Sequence, residues 1–117
     1  MNNLSINENS TILECYAHFN EHHNHSENTK AAYHKNIYAF QEFMEAEQVD
    51  PSVKNINFLL AKAWTTELRE EGYSERTIKQ RVASLKSLNS YLINLGILKA
   101  NVFIEVDKGV VNSNGHH

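Results

Sequence analysis

Residues 72–92 read "GYSERTIKQRVASLKSLNSYL", and their reading decides the fold class. Ile78, Val82, Leu85, Asn89 and Leu92 recur with the three-and-four spacing of one helical face, and Leu88 and Leu95 stand alongside. Ser74 sits where an N-cap oxygen is needed, and Gly72 and Gly96 stand where helices end in a left-handed residue. At roughly 100° per residue, Arg76, Lys79, Ala83, Lys86, Ser87 and Ser90 fall on the face opposite the apolar stripe, with Gln80 at its edge. From Arg76 to Ile104 the chain carries five bases and no acid, whereas residues 1–75 carry twelve acids and five bases. The whole chain has a formal charge of −3, so the cations are gathered rather than abundant.

Working outward, three more segments have helical period. The first runs from about Ser10 to His22 with Ile12, Tyr16 and Phe19 on one side. After the polar break "HHNHSEN", the second runs from Asn28 or Thr29 to about Glu47. It stacks Tyr33, Ile37, Phe40 and Met44, and Ser26 is in reach of its start as a cap. "QVDPSVKNI" reads as a loop around Asp50-Pro51. The third helix follows Asn57, runs to about Glu71, and is expected to bury Leu60, Ala63, Trp64 and Leu68. Only "NVFIEV" has the alternation of a strand. The expected fold is all-α, a bundle of four helices in one domain. The expected domain is 10–104, with a flexible N-terminus over 1–9 and a flexible tail over 105–117.

Composition excludes several classes. One cysteine, Cys15, can close no internal disulfide, which fits a reducing compartment such as the cytoplasm. No apolar run approaches the roughly 18 residues of a membrane span, and "MNNLSINENS" is too polar for a signal peptide. His18 and His22 have the i, i+4 spacing of two metal ligands, but no second closed pair accompanies them. A helix-to-loop transition accounts for His18, His22, His23 and His25, so neither metal nor cofactor is expected. Trp64 is read as core, and Cys15 as a structural thiol.

The basic face of the last helix forgoes the Glu–Lys pairs that support a merely solvated helix. Short residues between the cations let a phosphate backbone approach closely, and Gln80 and Ser87 can reach base edges. The second helix repeats this mildly. Thr29, Lys30, His34 and Lys35 lie in its first half, where its positive dipole end also favours phosphate, and Glu42, Glu45 and Glu47 lie in its second. These features point to double-stranded DNA. The rival reading is a helical protein-interaction module whose basic face binds an acidic partner.

"SENTKAAYHKNIYAFQEFM" at 26–44 and "GYSERTIKQRVASLKSLNSYLINLGILKANVF" at 72–103 together resemble the core-binding, SAM-like N-terminal domain of tyrosine recombinases of the phage-integrase type. The resemblance covers about residues 10–104. It implies two crossed helix hairpins over one face of a recombination site, with the second and fourth helices at the major groove. A separate C-terminal catalytic domain would cover the other face, with further protomers in a synaptic complex. The implied function is DNA binding at the core site for DNA integration. The charge reading of those two helices makes Thr29, Lys30, His34, Lys35, Arg76, Lys79, Gln80, Lys86 and Ser87 the residues expected to contact DNA. Val102 departs from the family's proline, Asn89 from an apolar or aromatic residue, and Lys86 from an arginine. The family's chemistry needs several arginines, a His-x-x-Arg element and a nucleophilic tyrosine. This chain has three arginines and no histidine followed by arginine three residues on. Its helical tyrosines Tyr33, Tyr38 and Tyr91 read as core or groove residues, so the chain itself is expected to be no enzyme.

Overall fold

The computed structural model describes residues 5–106. Among these, four α-helices follow one another: α1 (Ile12–Glu21), α2 (Glu27–Ala46), α3 (Phe58–Glu70) and α4 (Glu75–Asn94). A 3-10 turn, Val53–Asn55, interrupts the α2–α3 loop. The fold is all-α. Strand-like pairing among the described residues is limited to an isolated bridge between Thr11 and Ser52.

Each helix starts on a side chain that the sequence supplies for that purpose. The side chains of Thr11, Ser26, Asn57 and Ser74 accept hydrogen bonds from the backbone N–H groups of Glu14, Thr29, Leu60 and Thr77 respectively. Glu14 returns the bond to the Thr11 N–H, closing a capping box. Three helices end in the same doubly bonded motif. After α3, the Tyr73 N–H donates to the Leu68 carbonyl (3.1 Å) and the Gly72 N–H to Arg69 (3.0 Å). Ile97 and Gly96 do the same at the end of α4, and Val49 and Gln48 at the end of α2. The motif requires positive φ, which Gly72 (95°) and Gly96 (81°) adopt freely. Gln48 adopts it too, at 62°, where a Cβ is unfavourable.

The hairpins α1–α2 and α3–α4 pack together, with α4 touching all three other helices. Trp64 is buried at the centre, edge-on to Phe40 (ring centroids 5.0 Å) and to Phe103. The α3 stripe differs from the expected one. Ala61, Trp64, Thr65 and Leu68 are buried, Leu60 is half-buried and Ala63 is exposed. Thr65 is admitted because its hydroxyl donates to the Lys62 carbonyl within the helix (2.8 Å). "NVFIEV" is no strand. Residues 102–106 form a helical turn that buries Phe103 and Val106, three residues apart on one side. The Asn101 side chain starts it by accepting from the Phe103 N–H (3.2 Å).

The ends are drawn into the core as far as they are described. Ile6 is buried, and Val53 and Lys54 donate to the Ser10 and Glu8 carbonyls (2.9 and 3.1 Å). The segment 5–9 is thereby tied to the α2–α3 loop. Of the expected tail, residues 105 and 106 belong to the last turn, and 107–117 lie outside the described residues, as do 1–4.

Candidate nucleic-acid interface

The outward side of α4 has the composition read from its sequence. Arg76, Lys79, Gln80, Ala83 and Ser90 are exposed, and Lys86 and Ser87 are half-buried. The segment's other two cations go elsewhere. Arg81 is only 9% exposed and lies over the Tyr73 ring, 4.7 Å from its centroid, while Lys99 lies beyond the helix. The acid that opens α4 is neutralised in place. Arg69 of α3 grips the Glu75 carboxylate with two bonds (2.6 and 3.1 Å), and that bond holds the carboxyl below its usual range.

Beside this face runs a groove of about 410 Å³ between the first turns of α2 and the first half of α4. Asn28, Thr29, Ala32 and Asn36 form one wall, and Gln80, Ala83 and Ser84 the other. Two side-chain bonds fix the spacing of the helices. The Asn36 amide donates to the Ser84 hydroxyl (2.9 Å), and the Tyr33 hydroxyl donates to Ser87 (3.4 Å). Asn28, Ala32, Asn36 and Ser84 were not singled out from sequence. Asn28, Ala32 and Asn36 do stand at i, i+4, i+8, a polar stripe visible in the sequence once α4 is known to lie beside it.

The structure brings together only some of the α2 candidates. Thr29 lines the groove and Lys35 is exposed just round its outer edge. His34 leans on Tyr16 of α1, and the Lys30 ammonium is engaged within α2. Lys30 pairs with Glu27 (3.5 Å) and its carbonyl accepts from the Tyr16 hydroxyl (2.9 Å). The His34 ring stacks on Tyr38, with centroids 6.1 Å apart, and leans on Tyr16. Helical period explains the split: residues 29 and 30 are a quarter turn apart, so neighbouring candidates cannot share a face.

The acids at the ends of α2 and α3 form a group of their own. The Glu67 carboxyl is raised by partial desolvation first and then by Glu71, Glu47 and Glu70, which joins the ends of α2 and α3 in one negative field. Cys15 is buried and its thiol is pushed up to about 12 by desolvation, with Glu14 adding to the effect. It is not a nucleophile. Among the described residues, no group of three or more His, Cys, Asp or Glu is arranged to hold a metal ion. No helix there is long and apolar enough to cross a membrane.

A chain with this bundle and these helix ends matches, over residues 13–96, the family described as "Phage integrase, N-terminal SAM-like domain". The chain belongs to that family. Among curated relatives, this SAM-like domain is 26% identical over 101 residues to a tyrosine recombinase XerC of Listeria monocytogenes serotype 4b. That alignment spans 86% of the chain and 33% of the relative. The XerC of Listeria welshimeri is 30% identical over 83 residues (71% of the chain, 27% of the relative). That of Anoxybacillus flavithermus is 34% identical over 80 residues (68% and 26%). The domain thus spans about a third or less of the relatives it matches. No solved structure matches it. Asn89 is fully buried, and neither amide atom meets a hydrogen-bond partner among the described residues.

Proposed function

We propose that this SAM-like domain is the DNA-binding domain of an integrase-type site-specific tyrosine recombinase, binding core recombination-site DNA for DNA integration. The observation that carries the reading is the alignment of Arg76, Lys79 and Lys86 along one outward side of α4, beside a groove walled by small polar residues. Arg76, Lys79, Lys86 and Lys35 contact phosphates. Thr29, near the positive end of α2, anchors another. Gln80, Ser87 and Asn28 reach base edges, where amides read adenine and hydroxyls either partner. Ala32 and Ala83 keep the walls low enough for the backbones to approach. The acidic ends of α2 and α3 repel the duplex, which orients the domain on it.

In this reading the phosphodiester chemistry belongs to a catalytic domain on the C-terminal side, and other protomers join in a synaptic complex. The setting is the cytoplasm, with the DNA. Alone, the domain binds weakly, in the nonspecific range of roughly 10⁻⁴ to 10⁻⁶ M, because one half of the clamp supplies only part of the contacts. An amide chemical-shift titration of the labelled chain with a generic duplex at low salt tests this. Shifts gathered on 28–36 and 76–90, sparing 67–71, are expected. Shifts absent there, or centred on the acidic ends, would instead favour the acidic-partner reading or none.

A further inference from the structure

A second cavity, of about 630 Å³, opens where the α1–α2 loop meets the later half of α4. His23 and His25 come from the loop, Tyr33 from α2, and Lys86, Ser90 and Tyr91 from α4. Ring contacts tie this polar loop to the helices. The His23 ring stacks on Phe19 (4.0 Å) and stands edge-on to Tyr91 (5.3 Å). His25 packs against Tyr33 (5.3 Å) and His23 (5.5 Å). His23 Nδ1 lies 2.8 Å from the Phe19 carbonyl oxygen. A carbonyl only accepts, so this nitrogen carries the hydrogen, and Nε2 is where a second proton changes the ring's charge. Neutral His23 thus offers an anion only a lone pair at Nε2; protonated, it offers a donor and a full positive charge.

The cavity is continuous with the proposed DNA face, because Lys86, Ser87 and Ser90 belong to both. We propose that it is a proton-linked phosphate subsite, taking one backbone phosphate of the bound duplex as His23 and His25 become charged. The inference rests on the DNA-binding reading above and extends the contact surface from α4 onto the α1–α2 loop. The charges that face it are mixed. Lys86 faces it from α4 as a cation. Glu21, close enough to raise the Tyr91 hydroxyl after burial's larger effect, adds an anion from α1. His18 of α1 and His22 just beyond its end stack on each other nearby, with Tyr91 bonded to His18 (2.7 Å). Tyr33 adds a neutral hydroxyl from α2, and the 102–106 turn contributes Ile104 to the lining, with Glu105 next in sequence. Because the charged rings bind a phosphate better than the neutral ones, binding and proton uptake are coupled reciprocally.

The test compares duplex affinity of the 117-residue chain at about pH 6 and about pH 8, the range in which imidazole changes charge. Wild type is expected to bind roughly tenfold more tightly at the lower pH, the gain from one charge-assisted hydrogen bond. Titration calorimetry in buffers of different ionisation heat should show net proton uptake. A variant carrying both His23→Gln and His25→Gln should lose the difference, while His22→Gln, outside the cavity lining, should keep it. Equal wild-type affinity and no proton uptake would overturn the subsite while leaving the DNA reading intact. So would a double variant that retains the tenfold effect. No binding of duplex at either pH would overturn the DNA reading itself, and the subsite with it.

Discussion

Replacing Lys79 with alanine should change the salt dependence of DNA binding by an amount that the structure specifies. From sequence, six cations were candidates for phosphate contact if His34 is counted. The fold keeps four of them on one side: Lys35, Arg76, Lys79 and Lys86, with Lys30 paired to Glu27 and His34 stacked on Tyr38. Four neutralised phosphates give a slope of log K against log salt of about −3.6, or roughly a 150-fold loss between 50 and 200 mM. Lys79→Ala should lower the slope to about −2.7 and the loss to roughly 40-fold. Arg81→Met removes the same formal charge from the same helix. Because Arg81 is 9% exposed and covered by Tyr73, its slope should stay at the wild-type value. Fluorescence anisotropy of a labelled duplex across that salt range measures all three. Equal slopes for the two variants would mean that net charge, not the placement of Lys79, drives binding, and the interface assigned to α4 would fall.

Three further outcomes concern the fold that presents this face. Asn89→Leu should raise the unfolding free energy by about 1–2 kcal/mol, since it removes two buried, unpartnered polar atoms at the cost of some crowding; a loss of stability in urea denaturation would show that the site demands the smaller amide. Gln48→Gly should stabilise by about 0.5–1 kcal/mol, relieving a side chain at φ 62°, and thermal melts of the two proteins decide it. The Glu75 carboxyl, lowered from 4.5 chiefly by its Arg69 bond, contributes stability that is present above that value and lost as the pH falls through its folded value. Arg69→Gln should therefore cost at most about 1 kcal/mol at neutral pH for so exposed a pair, and nothing near pH 2. A cost that persists at pH 2 would assign the effect to packing.

The sequence by itself determined the helices, because their signals are local. Ser26, Asn57 and Ser74 cap the N–H groups three residues on, Gly72 and Gly96 end helices by a φ that other residues resist, and apolar period marks the faces of α1, α2 and α4. The α3 stripe was less legible, since alanine is small enough to fit on either side and Thr65 hides its polar atom within its own turn. "NVFIEV" misled because a six-residue window holds too little period to separate an alternating strand from one helical turn. The cationic side of α4 was legible for the same local reason as its core.

What only the tertiary structure decided is which side chains share a surface. That Asn28, Ala32 and Asn36 stand opposite Gln80, Ala83 and Ser84 depends on how α2 lies along α4, residues about 50 positions apart whose spacing is set by packing and by the Asn36–Ser84 bond. That Arg81 turns inward to Tyr73, and that His23 and His25 close on Tyr33 and Tyr91, follows likewise from contacts between elements. A helical wheel gives each residue an angle about its own axis. Only the packed bundle says what stands at that angle.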